Sequence, residues 1–356
     1  MASPGWRGRL ILVSVTIGVI AAAAALVCAC AGPRPAAAGP PRPVPAGGSP
    51  RRAAGAQSPR REVRAQPAVG AVGSYRVGER RLTFVEPARP GPAGQELGQR
   101  TLATLIRYPL PVPSAGLPGP ARGPFPLLMF APGFLQCGGP YSRLLRAWAS
   151  AGYVVAVVSF PRTDCHVGAA ADEADLVNQP GDVSYVISRL LVLSARPGGP
   201  LSGLLNQHEI AAAGQSDGGD TVAALAASTC CADHRLAAAA VLSGAEWPPM
   251  PGRYFAHRAP PLLFVQGSAD VINPPWMSRQ LYAADSRRAR YYLDLLGANH
   301  LIPYLGTNPV ERLVARVTLA FFDRYVLRQA GAAAAMSRAG NVRGEAELAS
   351  GGQFPP

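Results

Sequence analysis

Gly214-Gln215-Ser216-Asp217-Gly218 sits between a short apolar run, residues 210–213, and a helix-forming run, residues 221–227. A strand that turns sharply into a helix leaves no room for side chains at the flanks of the turn, so both ends are glycine. The residue at the apex is pushed up with its hydroxyl exposed at the edge of the sheet. On its own the pattern is common. It gains weight from the residues further along the chain.

An acid and a histidine come next, in that order. Residues 261–266 (PLLFVQ) read as a buried strand, a continuous apolar run preceded by proline. It ends in Gly267-Ser268-Ala269-Asp270, which places a carboxylate just past the strand. Residues 289–296 read as another strand and end in Gly297-Ala298-Asn299-His300. Asp270 and His300 are therefore expected on successive loops at one edge of a parallel sheet, where open α/β sheets build their sites. A serine hydroxyl is a poor nucleophile at neutral pH. His300 is expected to take its proton, with Asp270 fixing the imidazole tautomer and stabilising the imidazolium. Residues 125–130 (FPLLMF) form a further strand ending in Ala131-Pro132-Gly133-Phe134. The backbone N–H groups of Phe134 and Asp217 are the expected donors to a tetrahedral oxyanion.

Those segments carry a resemblance. RLTFVEPAR and LIRYP, then FAPGF, AGYVVAVVSFP, AAAGQSDGG, LLFVQGSADVINPP and LDLLGANH are similar to the corresponding stretches of α/β-hydrolases. Within that superfamily the chain resembles secreted esterases related to cutinases, polyester hydrolases and platelet-activating-factor acetylhydrolases, over residues 74–329. The resemblance implies Ser216 as nucleophile, Asp270 as acid, His300 as base, and Phe134 with Asp217 at the oxyanion hole. It implies a carboxylic-ester substrate and no cofactor. Two departures stand out. Gln215 and Asp217 occupy places where such relatives carry histidine and an apolar residue, and Phe134 stands where they often have tyrosine. Trp247 falls where polyester hydrolases place an aromatic at the substrate groove; ordinary loop packing is its other reading. A phospholipid or platelet-activating-factor type acyl hydrolase, and a catalytically silent surface-binding protein on the same scaffold, are the alternatives to a general esterase.

Strands and helices alternate through the middle of the chain, which means a doubly wound, mostly parallel sheet flanked by helices. Strands are expected over residues 75–86, 101–108, 153–160 and 236–242, and helices over 141–151, 182–194 and 309–328. Asn308 reads as the N-cap of the last helix, with Pro309 in its first turn. Residues 243–260 are too short for an inserted helical lid domain, so an open cleft is expected. Residues 331–356 are small and polar and read as a flexible tail.

The 356 residues carry 34 basic and 21 acidic side chains, a net charge of +13. All the basic residues are arginine, which together with abundant Ala and Pro fits a high-GC coding bias. Nucleic-acid binding would call for basic residues interleaved with aromatics on a folded face, and the sequence offers none. Arg7 and Arg9 precede an apolar run over residues 10–27, and Cys30 comes next in a lipobox-like context. Residues 1–30 thus read as a secretion or lipoprotein signal with Cys30 the acylation candidate; a retained anchor is the third option. Residues 31–72, dense in Pro, Ala, Gly and Arg, read as a disordered tether to the cell envelope. Residues 73–330 would be the catalytic domain, outside the cytoplasm. Nothing in the sequence bears on oligomeric state.

Four cysteines remain beyond the signal. Cys137 and Cys165 fall in neighbouring loops and are the expected disulfide in an oxidising compartment. A bond between the adjacent Cys230 and Cys231 would be strained, and the sequence gives that pair no role. His166 lies in a loop expected to border the cleft and is a candidate substrate contact or a plain surface histidine. Asp217 and Asp220 share a helical face at the first turn, where the helix dipole favours carboxylates. No His/Cys spacing suggests a metal.

Overall fold

The computed structural model describes residues 75–110 and 123–351, together with Gly70 and Gly73. The expected signal with Cys30, and all of the expected tether except Gly70, lie outside the described residues. All described residues belong to one compact unit, Val63–Pro356.

Eleven strands and six helices come in the order β1 (Arg76–Glu86), β2 (Arg89–Pro90), β3 (Glu96–Leu97), β4 (Arg100–Leu110), β5 (Phe125–Ala131), α1 (Ser142–Ser150), β6 (Val154–Ser159), α2 (Gln179–Ala195), β7 (Leu205–Gln215), α3 (Asp217–Ala227), β8 (Leu236–Leu242), β9 (Leu262–Gly267), α4 (Pro275–Ala284), β10 (Arg290–Leu295), α5 (Pro309–Tyr325), α6 (Ala332–Gly340) and β11 (Ala346–Ser350). Nine strands make one sheet in the order β1-β4-β6-β5-β7-β8-β9-β10-β11. The inner strands from β6 to β10 pair in parallel, and antiparallel strands close both edges. The chain is thus a mostly parallel α/β protein with helices on both faces.

The parallel strands read as unbroken apolar runs because both of their faces are covered. β5 is buried at every residue. In β7 the small side chains alternate between two cores: Ala211 and Ala213 pack with α1 and α5, whereas Ala212 packs with α2, α3 and α4. From β5 the chain winds outward to β6 and returns across β5 to β7. The winding reverses between β5 and β7, the kind of switch point that leaves a crevice at strand C-termini.

The helix expected at the end of the fold is capped as anticipated, with the Asn308 side chain accepting from the Glu311 N–H at 2.8 Å. One feature differs from expectation. Residues 331–350 are not a loose tail. They form α6, which packs on α5, and β11, which adds an antiparallel strand to β10. The alanine-rich run places Ala332, Met336 and Gly340 on one buried face at helical spacing, a signal muted by small side chains. α4 begins at Pro275, in the first turn of a helix, where a missing N–H is tolerated. β2 and β3 form a small antiparallel hairpin. Residues 243–260 hold turns and one isolated bridge, with no helix. None of the helices among the described residues is long and apolar enough to cross a membrane.

Candidate active site

β7 runs into α3 through a turn whose apex is Ser216, at φ 56° and ψ −126°. A non-glycine residue in that region is strained, and such strain gathers at functional sites. The flanking glycines are dictated by space. A Cβ on Gly214 would lie 1.9 Å from the Gly218 carbonyl oxygen, and one on Gly218 would lie 1.9 Å from that of Ala131. The Ser216 N–H donates to the Leu242 carbonyl at 2.9 Å, which pins the apex to the end of β8.

The acid and histidine loops are stitched together. The Ala269 N–H donates to the Ala298 carbonyl and the Gly297 N–H to the Ser268 hydroxyl. Gly267 is required here, since a Cβ would come within 2.4 Å of the Ala298 oxygen. As a result His300 Nε2 lies 2.9 Å from Ser216 Oγ, and His300 Nδ1 lies 2.8 Å from Asp270 Oδ2. The remaining lone pairs of Asp270 are filled by the Gln266 amide and the N–H groups of Ile272 and Asn273. Burial alone would raise this carboxyl. The hydrogen bond and charge of His300, with the Asn273 and Ile272 donors, outweigh it and hold Asp270 below the usual carboxylate range.

Phe134 comes directly after Gly133, and a Cβ on Gly133 would sit 3.1 Å from Ser216 Cβ, so the loop after β5 runs against the apex. Asp217 is the first residue of α3, and its N–H has no acceptor within the helix. Asp217 thus follows Ser216 directly, and Phe134 follows the glycine that packs against it.

Sequence alone assigns no role to two further residues of the site. Gln215 is fully buried. Its amide donates to the His300 carbonyl at 3.2 Å and lies 3.3 Å from Nε2, while its oxygen accepts from Tyr141 at 2.7 Å. Tyr141 in turn accepts from the Gly133 N–H. This chain of bonds ties the loop of Phe134 to the backbone of His300. Gln266 does the same for the acid loop, donating to both Asp270 and the Asn273 carbonyl. Both residues end buried strands, and a polar side chain closing an apolar run is the available signal.

Asp217 is 8 % exposed, and its Oδ2 has no hydrogen-bond partner. Burial, with the charge of Glu173 beside it, pushes its carboxyl up to about 7. Asp220 accepts from the Ala245 N–H and is also pushed well up, chiefly by burial.

The remaining expected residues have other neighbours. Trp247 is half-buried in a cluster with Leu176, Val177, Ala224 and Met250, and its indole N–H is unpartnered. The His166 side chain is 83 % exposed and turns its Nδ1 to Asp164 at 2.8 Å. No hydrogen bond joins either residue to Ser216, Asp270 or His300 among the described residues. Cys137 and Cys165 are bonded, tying the loop after β5 to the loop after β6. Cys230 and Cys231 are bonded to each other, against the expectation from their adjacency; the turn beginning at Ser228 folds both into one cluster with Trp247. The fold also gathers donor atoms of Cys137, Asp164, Cys165 and His166 within 4.8 Å, a grouping that sequence spacing conceals. With both sulfurs in the disulfide, Asp164 and His166 are left, short of the three protein ligands of a catalytic zinc. No family model matches this chain, and no curated protein matches it.

Proposed function

We propose that this chain is a serine-dependent carboxylic-ester hydrolase with an α/β-hydrolase fold and an open, lidless cleft. One observation carries the reading: the unbroken relay from Ser216 through His300 to Asp270, at 2.9 and 2.8 Å. Ser216 Oγ attacks the acyl carbon while its proton passes to His300 Nε2. The carbonyl π electrons move to oxygen, where the N–H groups of Phe134 and Asp217 receive them; such a donor contributes about 2.7–4 kcal/mol to barrier lowering. Collapse breaks the C–O bond, and His300 returns the proton to the departing alcohol. A water then repeats the sequence on the acyl-enzyme and frees the carboxylic acid.

The rim supports esters with apolar bulk. Leu135, Val271, Ile272, Leu301 and Ile302 come immediately after Phe134, Asp270 and His300 in sequence, and all five are exposed, Val271 to 82 %. Exposed apolar side chains gathered beside a site mark a surface that meets an apolar partner. This favours a phospholipid acyl hydrolase as the second reading. The Cys137–Cys165 bond supports a place outside the cytoplasm, as a secreted protein or a lipoprotein acylated at Cys30.

Ser216→Ala should fold as the parent does and lose p-nitrophenyl ester turnover by about 10⁶-fold, the scale of a nucleophile knockout. Undiminished turnover would remove Ser216 as the nucleophile, and failure of the parent to react with a fluorophosphonate probe would leave a silent binding protein as the better account. A comparison of short esters, long esters and phospholipid vesicles separates the two enzymatic readings.

A further inference from the structure

We infer that the face built by α1, α5 and α6 docks on an anionic lipid surface. These helices pack side by side, with α5 touching both of the others. Between α1 and α5 lies a cleft of about 620 Å³, with Val77, Ala147 and Ala315 among its apolar lining and Arg143, Arg146 and Arg312 around it. A second hollow of about 300 Å³ continues along α5, bounded by Arg316 and Arg338 with Ala335, Ala339 and Val342.

The charge on this face is only partly compensated. Arg143 pairs with Glu311 and Arg146 with Glu79, each arginine still about half exposed. Arg312 and Arg316, one turn apart on α5, and Arg338 on α6 are exposed and have no ion-pair partner among the described residues. Arginine stems covering an apolar floor, with heads free to reach outward, suit the boundary between headgroups and acyl chains.

Where the chain enters supplies a second, independent observation. The Gly70 N–H donates to Asp323 of α5 at 2.9 Å, and Gly70 lines the second hollow beside Arg316. Residues 1–69, with their apolar run at 10–27, are therefore joined covalently at this face. The chain leading to Gly70 is itself rich in arginine, at 51, 52, 60, 61 and 64. Like charge disfavours it as the occupant of the arginine face, and an anionic surface complements both.

The test is flotation of the full chain with vesicles of phosphatidylcholine alone and of phosphatidylcholine mixed with phosphatidylglycerol. The phosphatidylglycerol-dependent gain in binding should fall by about 100-fold in the triple variant Arg312→Gln, Arg316→Gln, Arg338→Gln, at roughly fivefold per basic side chain. The corresponding glutamate triple should lose more, in the same direction, and thermal melting followed by circular dichroism reports that both fold. High salt should abolish the gain. An unchanged gain in both triples overturns the proposal, as does a gain lost only when Arg51, Arg52, Arg60, Arg61 and Arg64 become glutamine. Equal retention on soluble polyglutamate, with no gain from phosphatidylglycerol, would point to a polyanion and also overturn it. Vesicle binding is read without any turnover, so failure here leaves the hydrolase reading untouched, and the reverse holds.

Discussion

Two buried carboxylates stand near Ser216, and their surroundings drive them apart. Asp270 lies past the end of β9 among donors: an imidazole, an amide and two backbone N–H groups. Asp217 lies in the first turn of α3 with one oxygen unpartnered and with Glu173 and Asp220 for company. Both are more than nine-tenths buried. Burial pushes both carboxyls up; at Asp270 the donors and the charge of His300 reverse that, and at Asp217 nothing comparable does. One group is held as an anion next to the base. The other is pushed up to about 7 next to the place where negative charge would develop. Divergent carboxyls around one site are how a single fold assigns different tasks to the same side chain.

The largest expected effect comes from removing the charged member. Asp270→Asn keeps the shape and the hydrogen bond but presents the wrong partner to His300 Nδ1, and kcat should fall by about 10⁴-fold. A loss below tenfold would mean that Asp270 does not orient the base. Asp217→Asn should act only above neutrality. Below pH 7 the parent Asp217 is largely protonated and the two proteins should match. Above it, an ionised Asp217 opposes the oxyanion, and the variant should be faster by on the order of tenfold at pH 9. Overlapping pH profiles for parent and variant would remove Asp217 from the chemistry.

The same contrast shows what the sequence could disclose. The strands that deliver Ser216, Asp270 and His300 are continuous apolar runs ending in glycine-bearing loops, so their order and their shared edge were legible. Asp270 was legible as an acid because it comes just after such a run. The state of Asp217 was not, since it depends on Glu173, brought up by a turn between β6 and α2 that is distant in the chain. Gln215 and Tyr141 were hidden for the same reason: their bond joins residues 74 positions apart. α6 and β11 were missed because alanine and glycine bury well on a crowded face yet score weakly as apolar.

The smallest expected effect is on stability, and its sign separates the two carboxylates most cleanly. Asp270 has a folded pKa below its unfolded value, so it stabilises the fold above about pH 4 and that contribution is lost as pH falls further. Asp217 has a folded value of about 7 against 3.8 for the free group. Between those limits the folded state holds a proton that the unfolded chain has released, so stability falls as pH rises from about 4 to 7 and is level beyond. At full slope one such group contributes about 1.4 kcal/mol per pH unit. Asp217→Asn should flatten that decline without abolishing it, because Glu173 and Asp220 are raised too. Urea midpoints at pH 4.5 and 7.5 measure the difference. A parent protein that gains stability across that interval, or a variant that tracks the parent point for point, would show that solvent reaches Asp217 and that the two carboxylates are more alike than their neighbours suggest.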